Sequence, residues 1–521
     1  MDVAVTLLSA LGLAVGCVPA SRRLLHYFQL ESYQFRGYVR TVLRNAAAAA
    51  LPGLMLTAAA AAVWTAAEWL PWVLAPAAVL LPAAGWAIWR VISRQKEKKR
   101  FGVTARVKRL MGVEGVCCLV IALLFPARYR WLMPAFLPLW LAVSALAAWP
   151  IERTIYEMYF RDARRKLEAR PDVIRIGITG SFGKTSVKVL LGTMLSERFQ
   201  VLITPRSVNV PMGLAGVIRG QLEPAHQIFV AEMGARHPGD IRELCRLVHP
   251  RYGILTSVGA QHLETFGSVE RIRETKYDLI RALPEDGTAF FPDDGAICRE
   301  LYDRTEKPKR LVSLTPGPDA DVWAENVTVS PRGSRFTLCT RDGRTECETR
   351  LLGAHNIQNL LLCASVCLEL GMGLKEISRG MARCEPVEHR LQLLDRPGGV
   401  TLIDDAFNSN PAGASRALEV LKAFGPGKRI IVTPGMVELG AEEAEYNRRF
   451  GEQMAACADT AILVGPRHTA PIREGLLSAG FPEENIHTVP GLTEAAALMG
   501  QLAKAGDTVL FENDLPDNYT E

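Results

Sequence analysis

The stretch RIGITGSFGKTSVKVLLGTML, residues 175–195, constrains the fold more than any other part of the chain. It opens with alternating β-branched residues, as a buried strand does, and closes with apolar residues at helical spacing. Between them stands Gly180-Ser181-Phe182-Gly183-Lys184-Thr185. A strand that turns through glycines into a helix aims several backbone N–H groups at one spot, and that spot attracts an anion. Such a turn belongs to an α/β domain. Lys184 adds a cation for the β- and γ-phosphates of a nucleotide, and Thr185 a hydroxyl for Mg²⁺. The strict phosphate-loop pattern asks for glycine where this chain has Ile178, so the match is to a variant, T-G-x-x-G-K-T, beginning at Thr179. A structural glycine turn is the competing reading.

The first 150 residues have a different character. Five apolar segments lie at roughly 3–20, 46–68, 71–92, 112–127 and 131–149. About 20 apolar residues are needed to cross a bilayer. The second and third segments meet that length, and the last two are short enough for a shallow hairpin, so four or five transmembrane helices are expected over 1–150. The first lacks a basic leader, with Asp2 the only charge before Arg22, and reads as a retained span rather than a signal peptide. Arg22, Arg23, Arg36, Arg40 and Arg44 stand against Glu31, and the stretch 90–109 is densely basic. Basic flanks face the cytoplasm, which puts everything after residue 150 inside a cell membrane crossed several times. Trp64, Trp69, Trp72, Trp86, Trp89, Trp131 and Trp140 lie near segment ends, as an aromatic belt does. A soluble helical bundle is the alternative, and the scarcity of charge argues against it. Residues 151–171, polar and basic, form a juxtamembrane connector ending at Pro171.

The net charge of +5 is small for 521 residues and does not suggest nucleic acid. The 11 cysteines include no C-x-x-C pair, so they read as free thiols of a reducing compartment rather than a zinc site.

Beyond the glycine turn, the strand QIFVAEMGA (227–235) places Glu232 at its C-terminal end, where open α/β sheets bind ligands. There it could hold Mg²⁺ opposite Thr185, or simply be solvated. A second strand ends near Val258 and leads to His262 and a helix carrying Lys276. Taken alone, His262 is more readily structural than a ligand, and Lys276 is an ordinary surface lysine.

Together, TGSFGKTS (179–186), VPMGL (210–214), EMGARHPGDI (232–241), AQHLETFGS (260–268), TKYDLI (275–280), GAHNIQN (353–359), RLQ (390–392), IDDAFNSNP (403–411) and GMVELG (435–440) resemble the Mur ligase family. Their order and spacing are family-like, most similar to the members that add D-alanyl-D-alanine. The resemblance implies a P-loop α/β central domain (172–385) and a Rossmann-like C-terminal domain (386–521). It implies ADP-forming ligation: the γ-phosphate of ATP passes to a substrate carboxylate, and an amine attacks the acyl phosphate. Thr179, Gly180, Ser181, Gly183, Lys184, Thr185 and Ser186 would cradle the phosphates. Asn356 would meet the adenine, and Arg390 and Asp405 the ribose or phosphate side. Two Mg²⁺ ions are implied, one on Thr185 and Glu232, the other on His262 and Lys276. Lys276 occupies the family's carbamate position and so becomes, with Lys184 and His262, part of the catalytic set.

The chain departs from the pattern on the substrate side. Pro205, Arg206 and Asn209 replace the usual Asn pair and glycine; Gly435 replaces an Asp, Asn447 a His, and the tail VLFENDLPDNYTE a Lys-Gly-Ser stretch. Membrane segments stand where the family holds UDP. The expected acceptor is a cell-wall peptide precursor, either soluble and UDP-linked or lipid-linked. The expected amine is an amino acid or dipeptide, and membrane lipid is a further partner. Alternatives are another Mur-type ligase that amidates or extends a lipid-linked peptide or makes polyglutamate, and, from another class, a nucleotide-driven transporter or sensor.

Overall fold

The computed structural model describes residues 3–31, 33–69, 76–94, 101–395, 398–407 and 409–514. The start of the 71–92 segment, part of the basic 90–109 stretch, Asn408 and the tail beyond Asp514 lie outside these residues. The chain forms two compact units, Met1–Glu157 and Met158–Leu515, and the division falls inside the helix Leu137–Glu168 rather than at residue 150.

The first unit is helical. Val3–Ala20 and Ala77–Ser93 approach closely, because Gly12, Gly16 and Gly85 leave no room for a Cβ against the opposing backbone. Its surface is largely apolar: Leu51, Leu54, Val79, Trp86, Val116, Leu124, Leu146 and Trp149 point outward, whereas Ser9, Ser21, Glu114 and Ser144 are buried. Among the described residues two helical stretches are long and apolar enough to cross a membrane, Ala46–Ala67 and Arg128–Glu168. The pair Ala4–Ala20 and Arg22–Leu30, bent by 45°, makes a third if counted as one span. This is fewer than the four or five expected. Ala77–Ser93 has only 17 residues, and Ala105–Leu124 carries Arg106, Lys108, Arg109 and Glu114.

The second unit contains two sheets. The first has the order β2-β3-β1-β4-β5-β6-β7-β8-β9. Its strands are β1 (Ile174–Thr179), β2 (Val201–Ile203), β3 (Ile228–Glu232), β4 (Tyr252–Leu255), β5 (Thr288–Pro292), β6 (Lys309–Ser313), β7 (Val322–Ser330), β8 (Gly333–Thr340) and β9 (Gly343–Thr349). Pairing is parallel through β7 and antiparallel beyond it. β1 and β3 are apolar along most of their length, as strands covered on both faces must be. Ile176, Ile178, Val230 and Ile254 pack with Val187 and Leu191 of the helix Lys184–Leu195 and with Ile357, Leu360 and Leu361 of the helix Ala354–Glu369.

The second sheet has the order β10-β11-β15-β12-β13-β14. Its strands are β10 (Gln392–Asp395), β11 (Thr401–Asp405), β12 (Arg429–Thr433), β13 (Thr460–Val464), β14 (Ile486–Val489) and β15 (Thr508–Glu512). All pair in parallel except β10. Alternate residues serve separate cores: Ile403, Ile431, Leu463 and Leu510 on one face, Leu402, Val432, Ile462 and Val509 on the other. The chain enters β15 between β11 and β12, and such a reversal of strand order opens a crevice at the C-terminal strand ends. All eleven cysteines are free thiols and nine are buried, in keeping with the sequence reading.

Candidate active site

The glycine turn leaves β1 and is stapled to the segment that follows β4. Ser181 N donates to the Ser257 carbonyl at 2.9 Å, Phe182 N to Ser257 Oγ at 2.9 Å, and Gly259 N to Ser181 Oγ at 3.0 Å. Gly183, at φ +82°, caps the helix Lys184–Leu195 in the left-handed region, which glycine enters at no steric cost. A Cβ on Gly180 would collide with the Thr256 hydroxyl. Thr179 Oγ1 donates to the Met233 carbonyl at 3.0 Å and so fixes the end of β1 against the loop after β3. Ser186 is half-buried on the same helix.

Lys184 Nζ donates to the Gly180 and Ser181 carbonyls at 2.6 and 3.1 Å. Burial lowers its pKa to about 8, against the pull of Glu232 and with a further push from Arg390. Thr185 Oγ1 lies 3.2 and 3.0 Å from the two Glu232 oxygens. The two elements predicted to share a metal are therefore brought together: a hydroxyl and a carboxylate form the oxygen-donor set that a hard cation takes. Lys276, on the helix Val269–Arg281, is also buried, with Nζ 2.9 Å from the Gly180 carbonyl. Burial, then Lys184, drives its pKa well below the usual lysine value, which favours the neutral amine. The surface-lysine reading of Lys276 is excluded.

His262 adopts φ +53° ahead of the short helix Leu263–Phe266, and its Nδ1 pairs with the Glu438 carboxylate. Burial lowers the imidazole pKa more than Glu438 raises it. Glu438, after β12, also has a left-handed backbone, and its N-terminal neighbours continue to Gly435. Its pKa falls because His262 and Arg236 outweigh its burial. Among the described residues no three His, Cys, Asp or Glu side chains gather as a metal cluster.

Asn356 is buried on the helix Ala354–Glu369. Its amide donates to the Leu352 carbonyl at 2.9 Å and its oxygen accepts from Asn359 at 3.3 Å, so both ends have partners within the protein. Arg390 stacks 4.4 Å from the Phe407 ring centroid. Burial lowers its pKa, opposed by Asp405 and Glu232, whose fields it therefore shares. Asp405 accepts from Leu391 N at 3.2 Å.

Three features escaped the sequence reading. Lys188, fully buried one turn after Lys184, pairs with Glu232 at 2.9 Å; the signal was its i, i+4 spacing from Lys184. Glu512 ends β15 in register with Asp405, its carboxylate held by Ser409 and, at 2.8 Å, Thr433. Burial raises both carboxyl pKa values to about 7, with Glu512 a further cause at Asp405. Finally, a cavity of about 320 Å³ lies at the C-terminal edge of the second sheet, walled by Phe407, Val432, Pro434, Val464, Leu492 and Phe511, with His389, Asn513 and Asp514 as polar lining.

Comparison with known proteins extends this picture. The Mur ligase middle domain matches residues 178–367, and the Mur ligase glutamate ligase domain matches residues 389–512. The UDP-N-acetylmuramoyl-tripeptide–D-alanyl-D-alanine ligase of Escherichia coli strain K12 is 31% identical over 332 residues, which cover 63% of this chain and 69% of that protein. The chain belongs to the Mur ligase family. The Mycobacterium leprae ligase of the same name is 32% identical over 366 residues, 65% of this chain and 70% of the relative. The crystal structure of MurF ligase from Thermotoga maritima in complex with ADP aligns with a TM-score of 0.62 at 26% identity, covering 69% of this chain and 80% of that one. As a Mur ligase most similar to MurF, the chain is an ATP-dependent enzyme that forms amide bonds, and ATP with Mg²⁺ serves its reaction.

Proposed function

We propose that this Mur ligase is anchored in the cell membrane and joins an amine to a carboxylate of a cell-wall peptide precursor through an acyl phosphate. The precursor is a muramyl peptide, and the amine is D-alanyl-D-alanine or another amino compound. The observation that carries the reading is the convergence at the glycine turn. Thr185 sits on Glu232, while Lys184 and Lys276 share the Gly180 carbonyl.

In this reading residues 1–150 are the anchor, 151–171 the connector, 172–385 the P-loop ATP-binding domain and 386–521 a Rossmann-like domain. Thr179, Gly180, Ser181, Gly183, Lys184, Thr185 and Ser186 receive the phosphates of ATP, Asn356 its base, and Arg390 and Asp405 the ribose side. Thr185 and Glu232 would hold one Mg²⁺, and His262 with Lys276, once carbamylated, would hold a second. When bound, the ions neutralise the phosphate charge that builds up on transfer. A neutral, buried Lys276 is the form that adds CO₂, losing a proton to become an oxygen-bearing anion. Lys184 steadies the transferring phosphoryl group, and Arg390 offsets negative charge from the other side. The pairing of His262 with Glu438 joins the segment after β4 to that after β12 and so fixes the imidazole in place.

The apolar exterior of the first unit, with its buried serines and Glu114, supports the anchor. Basic flanks support a cytoplasmic ligase portion in a multi-pass arrangement. An anchor confines enzyme and lipid-linked acceptor to one surface and raises their effective concentration, a gain that a soluble precursor does not share. The acceptor is therefore assigned as lipid-linked.

The test is phosphate release by the full chain in detergent, with ATP, Mg²⁺ and D-alanyl-D-alanine or a panel of amino acids. The acceptors are a UDP-linked muramyl peptide and its lipid-linked counterpart. A stoichiometric amide product with preference for the lipid form is expected. Equal or better use of the UDP form would leave the anchor as a localisation device. ATP turnover without acceptor or amine would point instead to a transporter or sensor.

A further inference from the structure

The segment between β2 and the helix Pro211–Gln221 is built around an arginine in an unfavourable conformation. Arg206 has φ +44°, a region that a long side chain enters only when its surroundings impose it. Five hydrogen bonds hold the segment in place. The Arg206 carbonyl accepts from the ammonium of Lys188, a side chain with no exposure, whose other partner is Glu232. Asn209 Nδ2 donates to the other Glu232 oxygen at 3.1 Å, and Gly234 N donates to the Asn209 carbonyl at 2.9 Å. Thr204 N bonds the Val230 carbonyl at 3.1 Å, and Glu232 N bonds Thr204 Oγ1 at 3.2 Å. The segment is thus zipped along β3 and its following loop as far as the carboxylate that meets Thr185. The Arg206 residue itself is exposed.

Positive backbone angles of this kind are concentrated at one place. Of the nine non-glycine residues with positive φ among the described residues, Arg206, His262, His389, Leu391, Glu438 and Asn513 lie in segments that flank the strands of the two sheets. Strain that is held in place around a site is a mark of function rather than of poor packing. At Arg206 the strain fixes the root of a guanidinium one ammonium group away from Glu232. A guanidinium presents its donors in a planar fork suited to a carboxylate or a phosphate.

We infer that Arg206 binds an anionic group of the acceptor, a carboxylate or a phosphate, and so sets acceptor specificity beside the nucleotide end of the site. This rests on the ligase reading above. In it, the acceptor brings a reacting carboxylate to the phosphoryl group near Glu232, and a second anion on the same molecule lies within reach of Arg206. Lys188 acts as a positioning residue, tying that recognition to the placement of Glu232.

The experiment uses the full chain in detergent, with a lipid-linked muramyl peptide, UDP-N-acetylmuramoyl-tripeptide and the same muramyl peptide lacking a diphosphate as acceptors. Arg206→Gly removes the cation while accepting the positive φ, and Arg206→Lys keeps the charge without the fork. Loss of a charged hydrogen bond raises the acceptor KM by roughly 10- to 100-fold in Arg206→Gly. The ATP KM stays unchanged, and the salt dependence of the acceptor KM flattens. Arg206→Lys recovers part of the loss. A penalty that persists without the diphosphate assigns the anion to a peptide carboxylate; one that vanishes assigns it to phosphate. Unchanged acceptor KM and salt dependence in Arg206→Gly, or an equal rise in the ATP KM, overturns the inference. A wild-type protein that releases no phosphate with any peptidyl carboxylate overturns the ligase reading, and this inference falls with it.

Discussion

Glu512→Gln should stabilise the C-terminal sheet at alkaline pH and do little at acid pH. Glu512 is 1% exposed, and burial lifts its pKa from 4.5 to about 7. At pH 4 the carboxyl is protonated in both folded and unfolded chains, so its burial is tolerated. Between 4.5 and about 7 the unfolded chain ionises while the fold keeps its proton, and stability is lost as the pH rises. Above about 7 the loss is complete. At about 1.4 kcal/mol for each pH unit, the displacement is worth about 3 kcal/mol. A glutamine escapes this loss and keeps both partners: its amide donates to Ser409 and its oxygen accepts from Thr433, now 2.8 Å from the carboxylate. Removing the charge also lets the Asp405 pKa fall, since Glu512 is its second upward cause after burial. The assay is urea unfolding of the full chain in detergent, read through hydrogen exchange of the β11 and β15 amides so that this sheet is followed by itself. The variant should gain about 3 kcal/mol at pH 8 and close to nothing at pH 4. A variant less stable than wild type at pH 8, or shifted equally at both pH values, would falsify the assignment and show that Glu512 is held as a paired anion.

Three further outcomes are expected. Lys276→Ala should abolish ligation, and short carboxylates such as acetate should restore part of it; near-normal turnover in low CO₂ would refute the carbamate. Gly180→Ala should cost about 100-fold or more in turnover with the fold retained, because the added methyl collides with the Thr256 hydroxyl that supports the turn; circular dichroism and phosphate release measure the two effects separately. Reporter fusions at residues 165 and 70 should report inside and outside respectively, and an external signal at 165 would overturn the orientation.

What was legible in the sequence was local. The glycine turn, Lys184, Thr185 and the strand-end Glu232 could be placed because a strand, a turn and a helix fix one another over a few residues. The partnership of His262 with Glu438 spans two segments far apart in the chain, and no periodicity announces it. Glu512 reads as the polar end of an apolar strand, and only parallel register beside Asp405 makes it a buried acid. The apolar segment read as 112–127 continues a helix that starts at Ala105, so the basic residues Arg106, Lys108 and Arg109 share it and shorten its apolar run. Of the substrate-side departures, the sequence displayed each replacement but not how they interlock.

Gly435 and Asn447 show that interlocking. Asn447 accepts from Met436 N and donates to the Met436 carbonyl, both at 2.9 Å, while Gly435 has φ +81° and a Cβ built on it would lie 2.9 Å from Asn447 Oδ1. An aspartate at position 435 would set its Cβ against the amide oxygen that holds the loop, 2.9 Å away. Returning a histidine to 447 first abandons the two bonds to Met436. The two positions are therefore coupled: a side chain at 435 needs the amide at 447 to move, and a different residue at 447 releases both bonds to Met436, so the pair is one unit of the loop rather than two separate replacements.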